Sequence, residues 1–305
     1  MKKAVIERRE SRAARWSGRL AYFATVLLLV AGLSHRFGLL ETIPFFGVLL
    51  IGCLLAAAGL GFAFGGFADL WERGDRGGRR ALWASIVCCI LLAPYALSAW
   101  RVMEHPRLTD VATDLDDPPM FRTLPTQRPL FANQIAPIDV SKAQMIRAGY
   151  PDLSGRRYPV SPDQVMEQVL ALIADRGWTV AARHGVVDEP APPTAEDDTD
   201  DAPLPVPEPR PSAGDADQPP PPGEGEAGPE DVVAGVEMSV EARAFSRWLR
   251  FPADVIVRLT DEGESTFVDM RSASHFAQHD LGDNADRIRR FLADLDARMD
   301  PGTEE

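Results

Sequence analysis

The chain has 305 residues, 45% of them hydrophobic, and a formal net charge of -13. That acidity is local: residues 188–230 hold 13 of the 45 acidic residues against one base, Arg210, and their net -12 leaves -1 for everything else. Such a segment repels a polyanion and excludes nucleic acid as a partner. All three cysteines, Cys53, Cys88 and Cys89, sit in apolar stretches, which excludes a disulfide framework, a thiol nucleophile or a cysteine-ligated metal beyond residue 105.

Leu20 to Ser34, Ile43 to Ala68 and Ala81 to Trp100 each approach the roughly 20 residues that cross a hydrocarbon core, and residues 1–104 read as a membrane domain of three transmembrane α-helices. The first stretch also invites a signal-peptide reading, but Ala31-Gly-Leu-Ser-His-Arg36 lacks a small-x-small cleavage site. Lys2, Lys3, Arg8, Arg9, Arg12, Arg15 and Arg19 precede it, and Arg73, Arg76, Arg79 and Arg80 lie between the second and third stretches; the first loop offers only Arg36. The positive-inside rule then predicts a cytoplasmic amino terminus in an inner (plasma) membrane protein, with a periplasmic carboxy-terminal domain. Gly61-x-x-x-Gly65 predicts close approach of another helix, more simply one from the same chain than from a second copy.

The exported domain is expected in two parts, residues 105–187 and 232–305, separated by a disordered acidic proline-rich insertion over 188–231 that holds no aromatic residue. His105 to Pro137 shows neither a 3.6 nor a 2.0 period and reads as irregular chain. Ser161-Pro-Asp-Gln164 predicts a helix start with a capping box, followed by Val165, Met166, Val169, Leu172 and Ile173 at helical spacing and a stop at Gly177. Trp178 to Val187 reads as a strand, resumed near Val232.

Further strands are predicted over Val236 to Phe245, Asp254 to Thr260 and Thr266 to Arg271. Alternation assigns Val236, Met238, Val240, Ala242, Val255, Val257, Leu259, Val268 and Met270 to the core face. Glu237, Glu241, Arg243, Arg258, Asp269 and Arg271 take the opposite face, expected as a solvated lattice of charge with Arg258 opposite or diagonal to Asp269. A last helix, Asn284 to Arg298, points Ile288, Phe291, Leu292 and Leu295 inward and Asp286, Arg287, Arg290 and Asp294 to solvent. Helices flanking a run of strands predict an α+β domain with an antiparallel sheet.

Pro106 to Pro119, Val268-Asp-Met-Arg-Ser-Ala-Ser274 and Asp280-Leu-Gly-Asp-Asn-Ala-Asp-Arg-Ile288 resemble the domain-of-unknown-function family 1499 of membrane-anchored bacterial envelope proteins. The resemblance covers most of the chain beyond residue 105 apart from the acidic segment. It implies no activity, ligand or catalytic residue. His275 and His279 depart from the family pattern.

Ser272, Ser274, His275, His279 and Asp280 are the densest reactive group outside the apolar stretches. A hydrolase would use one serine with one histidine, but no Gly-x-Ser-x-Gly elbow marks a nucleophile; the plainer expectation is that both serines cap the loop before the last helix. His275 and His279 would share a face only on a helix, and this stretch reads as loop, so no metal site is assigned. Asp114, Asp116 and Asp117 suit turn and cap duty better than calcium ligation. Arg243, Arg258, Asp269 and Arg271 form the candidate binding face for an anionic lipid, glycan or protein. The expectation is therefore a non-enzymatic binding or structural module held in membrane lipid by three spans, needing no cofactor. The alternative is an envelope hydrolase using Ser272 or Ser274 with His275 or His279.

Overall fold

The computed structural model describes residues 9–125, 128, 131–185 and 237–300. The expected insertion over 188–231 and the core position of Val236 lie outside the described residues. Three helices, α1 (Arg12–Arg36), α2 (Thr42–Arg73) and α3 (Gly78–Glu104), are each long and apolar enough to cross a membrane. The shortest, at 25 residues, extends about 37 Å at 1.5 Å per residue, because Ser11 caps it well before the apolar stretch begins: Ser11 Oγ accepts the Ala14 N–H at 3.2 Å.

Small residues at heptad spacing bring the helices together. Gly52, Ala56, Gly59, Ala63 and Gly66 of α2 are buried, facing Ala14, Ser17, Ala21, Ala24 and Ala31 of α1. A methyl at Gly66 would stand 3.1 Å from Ala14 and one at Gly59 would collide with Cys88, so this seam requires glycine. The expected Gly61–Gly65 approach is met at one residue: a Cβ at Gly65 would stand 3.4 Å from Ala13 Cβ of α1, whereas among the described residues nothing lies within 4 Å of one at Gly61, which the 3.6-residue period turns away from the line through residues 52, 59 and 66.

Beyond the helices stands an antiparallel sheet. Its strands are β1 (Asp110–Ala112), β2 (Arg156–Tyr158), β3 (Thr179–His184), β4 (Glu237–Phe245), β5 (Pro252–Asp261) and β6 (Thr266–Ser274), ordered β1-β6-β5-β4-β3 with β2 also on β6. Helices α4 (Val140–Gly149), α5 (Pro162–Asp175) and α6 (Asp283–Met299) complete the domain. The predicted α5 and α6 form, with Ser161 at the N-cap, although its side chain makes no capping hydrogen bond. Met238, Val240, Ala242, Val255, Val257, Leu259, Val268 and Met270 join Val169, Ile173, Ile288, Phe291 and Leu295 in one core, as the alternation requires.

The opposite sheet face is largely unsolvated, which corrects the expected charge lattice. Residues 113–125, Arg128 and residues 131–137 form a covering segment across it, placing Phe121 and Leu124 on Ile256 and Ala273. Four of the six charged side chains of that face are thereby sealed: Glu241 and Asp269 are 0% exposed, Arg271 2% and Arg258 9%, whereas Glu237 and Arg243 of β4 stay open to solvent. Strand β1, which pairs Asp110 with Ala273, falls inside His105 to Pro137 and corrects the reading of that whole stretch as irregular chain.

The sheet also touches the helices. Phe251, after the β4–β5 turn, stacks on Phe46 at 5.4 Å and lies 5.3 Å from the His35 ring. Arg36 Nη1 donates to the Trp248 carbonyl at 3.1 Å.

Candidate functional site

The carboxy-terminal half of the sheet builds two neighbouring arrangements, one sealed and one open. In the sealed one, Arg271 of β6 forks onto Asp110 of β1, with Nε to Oδ1 at 2.9 Å and Nη2 to Oδ2 at 2.7 Å. It also donates to the carbonyls of Pro119 and Ala136, near both ends of the covering segment. Lys142 Nζ adds a contact at 3.7 Å to Asp110 Oδ2. Arg258 lies directly opposite Asp269 in register and donates to its Oδ2 at 3.0 Å, while Nη1 reaches Asp117 Oδ2 at 2.7 Å. Asp114 performs the turn duty expected of it, Oδ1 accepting the N–H groups of Asp116 and Asp117.

Two further anchors were not legible as such. Glu241 accepts three successive backbone N–H groups, those of Arg122, Thr123 and Leu124, at 2.6 to 3.2 Å. Arg128 donates to Asp254 Oδ2 at 2.6 Å, and Arg243 reaches Asp254 Oδ1 at 3.4 Å. His275 Nε2 also stands 2.8 Å from that oxygen, as an ion contact without hydrogen-bond alignment. Burial pushes the Asp254 carboxyl up, but His275 and then Arg128 outweigh it and hold the group below the usual carboxylate range. Arg258, Asp269 and Arg271 therefore spend their charge inside the protein, and only Arg243 of the candidate binding residues keeps substantial exposure, at 41% of its side chain. Removing one partner of such a buried pair costs about 3–5 kcal/mol, because the other charge is stranded.

The five reactive side chains do not converge as a triad. Ser272 Oγ donates to Asn284 Oδ1 at 2.8 Å and accepts from Arg287 Nη1 at 2.9 Å; Ser274 Oγ accepts from Asn284 Nδ2 at 3.0 Å. The serines thus tie β6 to the start of α6 rather than capping the intervening loop. Asp280 does the capping, its two oxygens accepting the N–H groups of Gly282 and Asn284. Burial raises its carboxyl, and those two N–H groups oppose the rise. His279 Nδ1 accepts the Leu281 N–H at 2.9 Å, so Nε2 carries the proton and donates to the His105 carbonyl at 3.1 Å. Arg287, expected in solvent, is 8% exposed for the same reason: Ser272 and Asn284 draw it inward, and Asp283 pairs with it.

Ser274, His279 and Asp280 also line the open arrangement, a cleft of about 280 Å³ where the domain meets the helices. Phe46 of α2, Phe251 and Phe276 supply apolar wall, and Arg101 of α3 supplies a cation. Arg287 at this cleft is neutralised by Asp283, whereas Arg101 has no ion pair among the described residues. Periodicity could not reveal this site, because its walls come from residues more than 200 positions apart in sequence.

These features define a three-helix apolar anchor joined to a helix-backed antiparallel sheet whose second face is locked by arginine–carboxylate pairs. The family model described as a protein of unknown function (DUF1499) matches residues 110–295, and the chain belongs to that family. The match opens at Asp110, the carboxylate that Arg271 grips, and closes at Leu295 in the core of α6. Neither a curated protein nor a solved structure matches the chain.

Proposed function

We propose that the protein is an inner-membrane envelope component, amino terminus in the cytoplasm and domain in the periplasm, serving as a non-enzymatic module that binds an anionic amphiphile. The orientation rests on eleven basic residues at one end of the spans against Arg36 and Arg101 at the other. The binding role rests on the junction cleft, where Arg101, without an ion pair among the described residues, lines the same space as Phe46, Phe251 and Phe276. Arg101 lies three residues before the end of α3, and Phe46 four residues after the start of α2, so the cleft opens at headgroup level. A ligand with an anionic head and an apolar body satisfies both walls, as ligand sites combine apolar lining with a few placed polar groups. The hydrolase reading has weaker support, since the serine hydroxyls and both His279 nitrogens already hold structural hydrogen bonds.

A photoreactive benzophenone side chain placed at position 276 in the full chain, illuminated in native membranes, tests this. The expected adduct has the mass of a lipid or glycolipid and diminishes in Arg101→Gln. Adducts to protein alone would overturn the reading, and fluorophosphonate labelling abolished by Ser274→Ala would promote the hydrolase.

A further inference from the structure

The opposite end of the helices carries a second cleft, about 710 Å³, between α1 and α3. Four arginines line it, Arg15, Arg76, Arg79 and Arg80, against one carboxylate, Glu10. None of the four forms an ion pair among the described residues, while the nearby Asp69 is already engaged by Arg73 and by Ser11 Oγ. The mouth is built rather than frayed. Ser11 N donates to the Arg76 carbonyl and Arg76 N to the Arg9 carbonyl, stitching the chain before α1 to the α2–α3 turn. Gly18 leaves room for the Arg80 stem, since a methyl there would stand 3.3 Å from Arg80 Cγ. Gly77, at φ 138°, holds that turn in a conformation other residues rarely adopt.

Below the arginines the walls become largely apolar, with Ala21, Tyr22, Thr25, Trp83, Ala84 and Val87 descending along the two helices. Thr25 lies thirteen residues after the start of α1, about 20 Å along the helix, so the cleft runs from the charged rim into the span itself. A soluble anion would occupy the mouth and leave the apolar walls open. From this geometry we infer that the cleft binds an anionic glycerophospholipid of the leaflet on the amino-terminal side, its phosphodiester among Arg15, Arg76, Arg79 and Arg80 and an acyl chain between α1 and α3. Guanidinium forks suit phosphate oxygens, and basic pockets between helices at a membrane surface recognise such headgroups. A second cleft of about 520 Å³ shares Arg15, Gly18, Tyr22 and Arg80 with the first; this continuity gives a lipid with two phosphates room at the same rim.

This inference is independent of the junction cleft, which lies at the other end of the helices. Its test is native mass spectrometry of the full chain, delipidated in mild detergent and titrated with dioleoylphosphatidylglycerol, tetraoleoylcardiolipin and dioleoylphosphatidylcholine. The two anionic lipids are expected to bind roughly tenfold or more tightly than phosphatidylcholine. Arg76→Gln with Arg80→Gln should erase that preference, while Arg12→Gln, which removes the same kind of charge outside the cleft, should preserve it. Equal binding of all three lipids would overturn the inference. So would an Arg12→Gln loss as large as that of the double variant, or displacement of bound lipid by millimolar inorganic phosphate. If the double variant loses its helical circular dichroism, Arg80→Lys takes its place, with a partial loss expected and an unchanged preference overturning the inference.

Discussion

Asp269 offers one oxygen to Arg258 Nε, while the other, Oδ1, is buried with no hydrogen-bond partner among the described residues. Burial pushes its carboxyl up to about 7, against the opposing pull of Arg258. Because the folded value lies above the unfolded 3.8, the folded state holds this proton more tightly. The stability it contributes is complete below about pH 4 and is lost as pH rises through about 7. Asp280, also raised, acts in the same direction, whereas Asp254, held low, loses its contribution only as pH falls below the ordinary carboxylate range. The melting temperature of the domain should therefore fall between about pH 4 and pH 7, and Asp269→Asn should make that fall shallower. Thermal melts followed by circular dichroism at a series of pH values measure this, and an unchanged slope in the variant would refute the assignment. Arg258 opposite Asp269 was readable from strand alternation alone. Their burial was not, because it depends on a covering segment that has no period of its own.

At the scale of elements, β3 and β4 pair antiparallel up to His184 opposite Ser239, so the two ends of the connection they share are adjacent. Gly185, at φ 72°, turns the chain there, where a methyl would collide with the Glu237 carbonyl. A short turn can thus close this hairpin. Deleting Glu189 to Pro229 and joining the ends should change the melting temperature by only a few degrees, since loop-closure entropy varies slowly with length; a drop of many degrees would show that those residues pack on the domain. Long amphipathic elements such as α5 and α6 were legible because one face of each is consistently apolar. The three-residue strands β1 and β2 and the short helix α4 were not, being specified by pairing and packing across the sequence. The junction cleft escaped for the same reason, whereas the heptad of small residues in α2 was present in the sequence beside the more conspicuous Gly61–Gly65 pair.

On the scale of the whole molecule, the domain is attached twice. The chain passes from α3 into β1 within six residues, and the β4–β5 turn rests on the α1–α2 connection through Phe251 and Arg36. These contacts place the sheet at the end of the helices opposite Arg15, Arg76, Arg79 and Arg80. That arrangement agrees with the charge asymmetry, because up-down-up helices put the α1–α2 connection and the end of α3 on one side.

The cations that lock the sheet are arginines, and the chain contains only three lysines, Lys2, Lys3 and Lys142. Beyond the helices there is consequently a single primary amine on a side chain, and it sits 3.7 Å from Asp110, beside the Arg271 fork. Nature has in effect left one address for acylating chemistry on the domain. A membrane-impermeant succinimidyl ester added to spheroplasts should modify Lys142 and spare Lys2 and Lys3; the reverse pattern would invert the proposed orientation. The rate at Lys142 carries further information, since its side chain is only 24% exposed beside the covered sheet face. Its acceleration in mild denaturant would clock the release of the segment that covers the sheet, before the core itself opens.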